Sequence, residues 1–267
     1  MPLPDADWLH LCRRAANNAR EAVSGLTSTA ERSVTFGAGE GGDTTLAVDR
    51  AAEDAVFAEL DSLGVPMLVV SEERGEVSLN GGNEGGSVRV VVDPVDGSMN
   101  AKRKLPFACV SIGVASGARM GDVEVGFVAE LDPPRDWWAV RGEGAFLDGE
   151  RLGPLSAGSL EVLGLETARP GLVAGAAEAI AGLEARRLRV LGSVAASMCL
   201  VAAGRLDAMI TLREVRSVDV AAAQLIVEEA GGAVALPGGD ALDLSLRTRA
   251  AAARDRSMLE RLRTDLL

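Results

Sequence analysis

The sequence predicts a layered α/β sandwich in which helix and sheet layers alternate. Two observations predict it. In the first half, two amphipathic helical stretches precede a run of adjacent strand-like segments, which suggests an antiparallel sheet in an α+β layout. In the second half, short apolar strand-like runs alternate with helical ones. The pattern changes near residues 155 to 160. The chain therefore reads as a single domain, 1–267, with subdomains of about 1–157 and 158–267.

Residues 5–26 place Trp8, Leu9, Cys12, Ala15, Ala19 and Val23 at helical spacing, which predicts an amphipathic first helix. Residues 33–45 are glycine-rich and carry Gly37, Glu40 and Asp43. Such a stretch is either a plain surface linker or a mobile lid that orders when a ligand binds. A second helix is expected over 48–63, with Asp49 in its first turn, where the helix dipole alone favours an acid. Met67-Leu68-Val69-Val70 predicts a short strand with Ser71-Glu72-Glu73 at its carboxyl end. Residues 75–86 read as a loop or hairpin. Val88-Arg89-Val90-Val91-Val92 predicts a buried strand ending at Asp93. Strands over 108–116, 123–130 and 137–140 follow, with Trp137 and Trp138 as core or interface residues. Beyond them come a strand over 162–165, a helix over 171–182 and a strand over 188–191. Gly192-Ser193 opens a helix that ends near Gly204. A strand over 206–212, a helix over 218–230, strands over 234–236 and 250–253 and a helix over 256–267 complete the chain.

Composition narrows the chemistry. Apolar residues make up 48% and charged residues 25%, as in an ordinary globular protein. The formal net charge of −12 argues against nucleic acid or an anionic membrane as a partner. A small anionic substrate is compatible with it, because a metal can invert the local sign. No apolar stretch reaches membrane-spanning length, and the start of the chain lacks the basic-then-apolar pattern of a signal peptide. Three scattered cysteines, Cys12, Cys109 and Cys199, form no CxxC pair, so the expectation is reduced thiols in a cytoplasmic protein. His10 is the only histidine and tyrosine is absent. A triad would have to use His10, and a histidine zinc site is out of reach. Carboxylates, hydroxyls, backbone and hard metal ions remain.

One stretch stands out, Asp93-Pro94-Val95-Asp96-Gly97-Ser98-Met99-Asn100. Pro94 favours a turn and Gly97 permits a conformation that other residues resist. The turn is expected to bring Asp93, the Val95 carbonyl and Asp96 to one side as three hard oxygen donors. Ser98 stands where a helix begins, with N–H groups free for an anion. Such a site suits a divalent cation holding a phosphate. By itself, a polar turn with solvated acids is the simpler reading.

Glu73, Asp93-Pro94-x-Asp96-Gly97-Ser98-x-Asn100 and Asp219-x-Ala-Ala, in this order, resemble the inositol monophosphatase family of sugar phosphatases. Residues 142–150, 192–204 and 229–232 look like further family segments, so the resemblance spans nearly the whole chain. It implies the αβαβα sandwich of that superfamily. It also implies two to three Mg²⁺ ions, with Glu73, Asp93, Asp96 and Asp219 as side-chain ligands, the Val95 carbonyl completing one site and Asp93 bridging two ions. Gly97 and Ser98 are implied to bind the substrate phosphate. Ser98, where the family usually has Thr, is implied to pair with Asp49 and orient or deprotonate the attacking water, giving direct hydrolysis. The lid over Gly37, Glu40 and Asp43 is implied to serve a third, weaker metal. Gly192 and Ser193 are implied to contact the sugar ring. A homodimer is implied as well.

The departures bear on the substrate. Ser71 replaces a family Gly, and Val218 precedes Asp219 where a Trp is common. Leu212 holds the place where eukaryotic members carry a Glu that grips inositol. Arg213-Glu214-Val215-Arg216 looks more like archaeal-type enzymes that hydrolyse both inositol monophosphate and fructose 1,6-bisphosphate. Arg213 or Arg216 then becomes a candidate contact for a second phosphate, with Arg169 and Arg187 as vaguer ones. The expected function is Mg²⁺-dependent hydrolysis of a sugar or inositol phosphate. The alternatives are a phosphatase of 3′-phosphoadenosine 5′-phosphate or NADP, and a catalytically silent phosphate-binding regulator.

Overall fold

The computed structural model describes residues 4–42, 44–83, 88–156 and 158–266. The chain starts with α1 (Asp5–Gly25) and the short α2 (Thr29–Arg32), then β1 (Thr35–Ala38), β2 (Thr44–Leu46) and α3 (Ala47–Ser62). Within the glycine-rich stretch β1 pairs antiparallel with β2, so it is built on a hairpin rather than a plain linker. Next come β3 (Met67–Ser71), β4 (Gly75–Leu79), β5 (Val88–Asp96), α4 (Ser98–Arg103), β6 (Cys109–Ala115), β7 (Val123–Glu130), β8 (Arg135–Val140), β9 (Gly144–Leu147) and β10 (Glu150–Arg151). Eight of these strands form one sheet in the order β10-β9-β8-β7-β6-β5-β3-β4. Every pairing in it is antiparallel except β3 with β5, which run parallel.

The remaining elements are β11 (Val162–Glu166), α5 (Pro170–Gly175), α6 (Ala177–Gly182), β12 (Arg187–Arg189), α7 (Val194–Ala202), β13 (Ala208–Thr211), α8 (Ser217–Glu229), β14 (Ala233–Ala235), β15 (Ala251–Ala253) and α9 (Arg256–Leu266). Five strands make a second sheet, β12-β11-β13-β15-β14, with β11 parallel to both its neighbours. Where one helix was expected over 171–182 there are two. Gly175 and a non-helical Ala176 break the ladder between them.

The layers follow from alternation along the strands, because successive side chains point to opposite faces. In β5, Val90 and Val92 pack against α1 and α3, while Val91 packs against α7 and α8. In β13, Met209 faces α7 and α8, and Ala208 and Ile210 face α6 and α9. The order is therefore helices, large sheet, α7 with α8, small sheet, helices. This is the predicted αβαβα sandwich. Each buried Val or Leu in these layers contributes about 1.5–3 kcal/mol of transfer free energy. The central helix α8 is buried along nearly its whole length, including Ala221, Ala222 and Ala223. Small residues let it lie close on the large sheet. A Cβ at Gly126 of β7 would overlap the Ala222 carbonyl oxygen.

Candidate active site

Parallel β3 and β5 end side by side, so the acids that follow them meet at one edge of the large sheet. Here β5 departs from the expected form. The strand does not stop at Asp93 but runs on to Asp96, and its register against β6 slips between those two acids. Pro94 cannot donate to the ladder, so the slip falls where its ring sits. Three helix starts converge on the same edge: α3 with Asp49, α4 with Ser98 and α8 with Asp219. Together with the turn before α7 they enclose a cleft of about 670 Å³.

Asp93 is buried, and its Oδ1 accepts from the Val95 N–H at 3.0 Å. Asp96 Oδ2 accepts from the Ser193 hydroxyl at 2.7 Å and the Ala195 N–H at 2.6 Å, so it holds the start of α7. Asp219 Oδ2 accepts from the Arg216 N–H at 2.7 Å, and its Oδ1 lies 3.5 Å from the Arg216 guanidinium. Glu73 accepts from the Thr45 hydroxyl. Asp49 Oδ2 accepts from the Leu46 N–H at 2.8 Å, while its buried Oδ1 has no hydrogen-bond partner. Ser98 lies beside Asp49 and lowers its pKa against burial, and its hydroxyl donates to the Val95 carbonyl at 2.9 Å. Gly97 has a φ of 89°, and a Cβ there would stand 2.9 Å from the Phe107 carbonyl oxygen. Only glycine fits that bend without strain.

The electrostatics of the cleft are those of crowded acids. Burial raises Asp93 well above the ordinary range, and the charges of Glu72, Asp96 and Asp219 raise it further. Burial and Asp219 push Asp96 up to about 7. Burial takes Glu72 and Glu73 each to about 7, and Asp49 to about 6. Arg216 is the cation held among these acids. Burial works against its charge, yet Asp219, Glu72 and Asp93 keep its pKa above the usual arginine value.

Sequence reasoning missed two acids. Glu72 is as deep in the cleft as its neighbour and pairs with Arg216. Its signal was present, since it shares the strand end with Glu73. Glu166 closes β11 and is wholly buried. It accepts from the Leu191 N–H at 3.0 Å, the Gly192 N–H at 2.9 Å and the Ser197 hydroxyl at 2.6 Å. The same strand-end logic that singled out Asp93 applied to Glu166 as well.

The other expected contacts are distributed as follows. Gly192 lines the cleft with a φ of 85°, whereas the Ser193 hydroxyl is turned to Asp96. Arg213 and Arg169 are exposed and line the cleft, as does the half-buried Lys102. Arg216 lines it too, but its guanidinium is engaged internally by Glu72, Asp219 and the Gly41 carbonyl. Arg187 is exposed on β12, outside the cleft lining. Gly37, with a φ of 98°, and Glu40 lie in the β1–β2 hairpin and do not line the cleft. Asp43 lies outside the described residues. His10 is exposed on α1 and takes no part.

The donor set is all oxygen, which suits Mg²⁺ rather than a softer ion. Among the described residues no three acids are gathered into a ready coordination shell. Asp96, Glu72 and Glu73 are instead turned to Ser193, Arg216 and Thr45. The fit is one of charge. Glu72, Glu73, Asp93 and Asp219 face the Arg216 guanidinium. Burial, and with it repulsion between neighbouring acids, raises the pKa values of Glu72, Glu73, Asp93 and Asp96, and divalent cations relieve that strain on the charged forms.

The model of the inositol monophosphatase family matches residues 8–266. The chain is 36% identical over 250 residues to the fructose-1,6-bisphosphatase/inositol-1-monophosphatase of Methanothermobacter thermautotrophicus, covering 91% of this chain and 89% of that one. It is 30% identical over 261 residues to the bifunctional NADP phosphatase/NAD kinase of Methanococcus maripaludis, covering 90% of this chain and 45% of that longer one. A crystal structure of an inositol monophosphatase-fructose 1,6 bisphosphatase superposes with a TM-score of 0.83 at 27% identity, covering 97% of this chain and 99% of that one.

Proposed function

The chain belongs to the inositol monophosphatase family of phosphomonoester hydrolases, and from that premise we propose that it is a Mg²⁺-dependent phosphatase of small sugar or inositol phosphates. The observation that carries this reading is the convergence of Asp49, Glu73, Asp93, Asp96 and Asp219 on one cleft beside Gly97 and Ser98. Glu73, Asp93, Asp96, Asp219 and the Val95 carbonyl would hold two to three Mg²⁺. When bound, the ions neutralise the phosphate oxygens and make water acidic enough to attack.

The protein's own residues then have distinct tasks. The backbone N–H groups of Gly97 and Ser98 receive the phosphate at the start of α4. Asp49 keeps one buried oxygen free of protein partners beside Ser98, and the pair orients the attacking water and takes its proton at Asp49 Oδ1. A carboxylate with a pKa near 6 is a competent base at neutral pH. With the only histidine exposed on α1 and the three thiols buried, transfer to water is direct.

Fructose 1,6-bisphosphate and inositol 1-phosphate are the substrates the rim favours. Lys102, Arg169 and Arg213 ring the mouth and carry no ion pair among the described residues, which supports a second anionic group. Leu212 is buried, consistent with a loose grip on inositol. The NADP phosphatase relative favours a second reading, hydrolysis of NADP or 3′-phosphoadenosine 5′-phosphate. The proposal extends to a cytoplasmic homodimer, as the resemblance implies. Phosphate release from these four substrates, with Mg²⁺ and with chelator, tests it. Release that needs Mg²⁺ is expected, together with a KM for the bisphosphate about tenfold higher in Arg213→Ala. No release from any of them by metal-loaded protein would overturn it.

A further inference from the structure

The turn between β1 and β2 has little apolar packing to hold it. Strand β1 is exposed at every position, Phe36 included. The turn is tied to the rest of the protein by polar contacts. The Glu40 N–H donates to the Glu73 carbonyl at 3.1 Å and the Gly41 N–H to the Glu72 carbonyl at 2.8 Å. From the other side, Arg216 Nη1 donates to the Gly41 carbonyl at 2.9 Å. The same guanidinium pairs with Glu72 through Nη2 and faces Asp219. One buried side chain thus fastens three segments distant in sequence: the turn, the end of β3 and the start of α8.

The glycines of the turn are shaped to this contact. A Cβ at Gly41 would overlap Arg216 Nη1, and a Cβ at Gly39 would overlap the Glu73 carboxylate. An arginine suits the task because its planar fork serves two acceptors at once, which a lysine ammonium on a flexible stem does less well. Each of these bonds joins a charged group to a partner away from bulk water, so each is worth more than an ordinary surface contact.

We infer that Arg216 is a positioning residue, a latch that holds the β1–β2 turn closed against the acids of the cleft. The turn abuts Glu72 and Glu73, so its closure governs how water and ions reach that side of the site. The latch is independent of which phosphate ester the cleft hydrolyses.

Hydrogen–deuterium exchange of the full-length protein in chelator, read on peptides covering residues 35–46, tests this directly. In the wild type the hydrogen-bonded Glu40 and Gly41 amides are expected to exchange slowly. Arg216→Gln and Gly41→Ala are each expected to speed that exchange at least about tenfold, while peptides from β5 to β7 stay unchanged. Gly41→Ala alters no charge and serves as the independent probe should Arg216→Gln fail to fold. The double variant is expected to open the turn no further than either single change, since both act on one contact. Arg216→Lys restores the charge but not the fork, and is expected to recover less than half of the lost protection. Wild-type exchange in Gly41→Ala or in Arg216→Gln, or full rescue by Arg216→Lys, would overturn the inference.

Discussion

Without divalent cations this protein is expected to lose stability as pH rises from 5 to 7, and Asp96 shows why. Its carboxyl sits against Ser193, Ala195 and Asp219, and burial with the charge of Asp219 raises its pKa from 3.8 to about 7. In the unfolded chain the proton leaves near the ordinary value, whereas the fold retains it. The folded state therefore binds more protons, and stability present below about pH 4 is lost as pH climbs through about 7. One retained proton is worth about 1.4 kcal/mol per pH unit, which integrates to about 2 kcal/mol between pH 5 and 7. Solvent reaches one side of this carboxyl, and screening trims the figure to about 1–2 kcal/mol. That corresponds to a fall of roughly 2–8 °C in melting temperature for a chain of this size. Glu72 and Glu73 act in the same direction. The assay is calorimetric melting in chelator at fixed ionic strength, for the wild type and for Asp96→Asn, which has no such proton to retain. The variant should show the shallower dependence. With excess Mg²⁺ the trend should reverse, because cations bind the ionised acids of the fold. Stability in chelator that is flat or rising between pH 5 and 7, or an unchanged slope in Asp96→Asn, would refute the reasoning.

Three further outcomes are expected. Asp93→Asn keeps the side-chain shape at the buried strand end but removes a charge, so turnover should fall at least about 10²-fold, as measured by phosphate release, with far-ultraviolet circular dichroism unchanged. Gly126→Ala drives a methyl group into the Ala222 carbonyl and should cost about 1–3 kcal/mol in urea unfolding as α8 is pushed from the sheet. Glu166→Gln sets an amide against the N–H groups of Leu191 and Gly192, and should cost about 1–3 kcal/mol by the same measurement.

Periodicity made most of the elements legible. The stretch 5–26 became α1, and the valine-rich run of β5 announced a strand buried on both faces. Boundaries were less visible where tertiary contacts set them. The hairpin β1–β2 has no apolar alternation to mark it, because β1 is exposed throughout and the turn is held by Arg216, Glu72 and Glu73. The end of β5 was misplaced because Pro94 reads locally as a stop, whereas the sheet accommodates it by a slip in register.

The sequence alone determined the central acids of the site. Asp93-Pro94-Val95-Asp96-Gly97-Ser98 carries its donors within a few residues, and no partner is needed to recognise so local a pattern. Tertiary structure decided what each acid faces. Glu72 and Glu166 each stand at a strand end in the sequence, but only the fold shows their partners in the cleft, Arg216 for one and the Gly192 N–H for the other. Arg216 likewise reads as a candidate substrate contact until the fold surrounds it with Asp219, Glu72 and the Gly41 carbonyl. The physical reason is reach. Chemistry held in one turn is written in adjacent residues, whereas a buried charge takes its partners from segments that only the packed layers bring together.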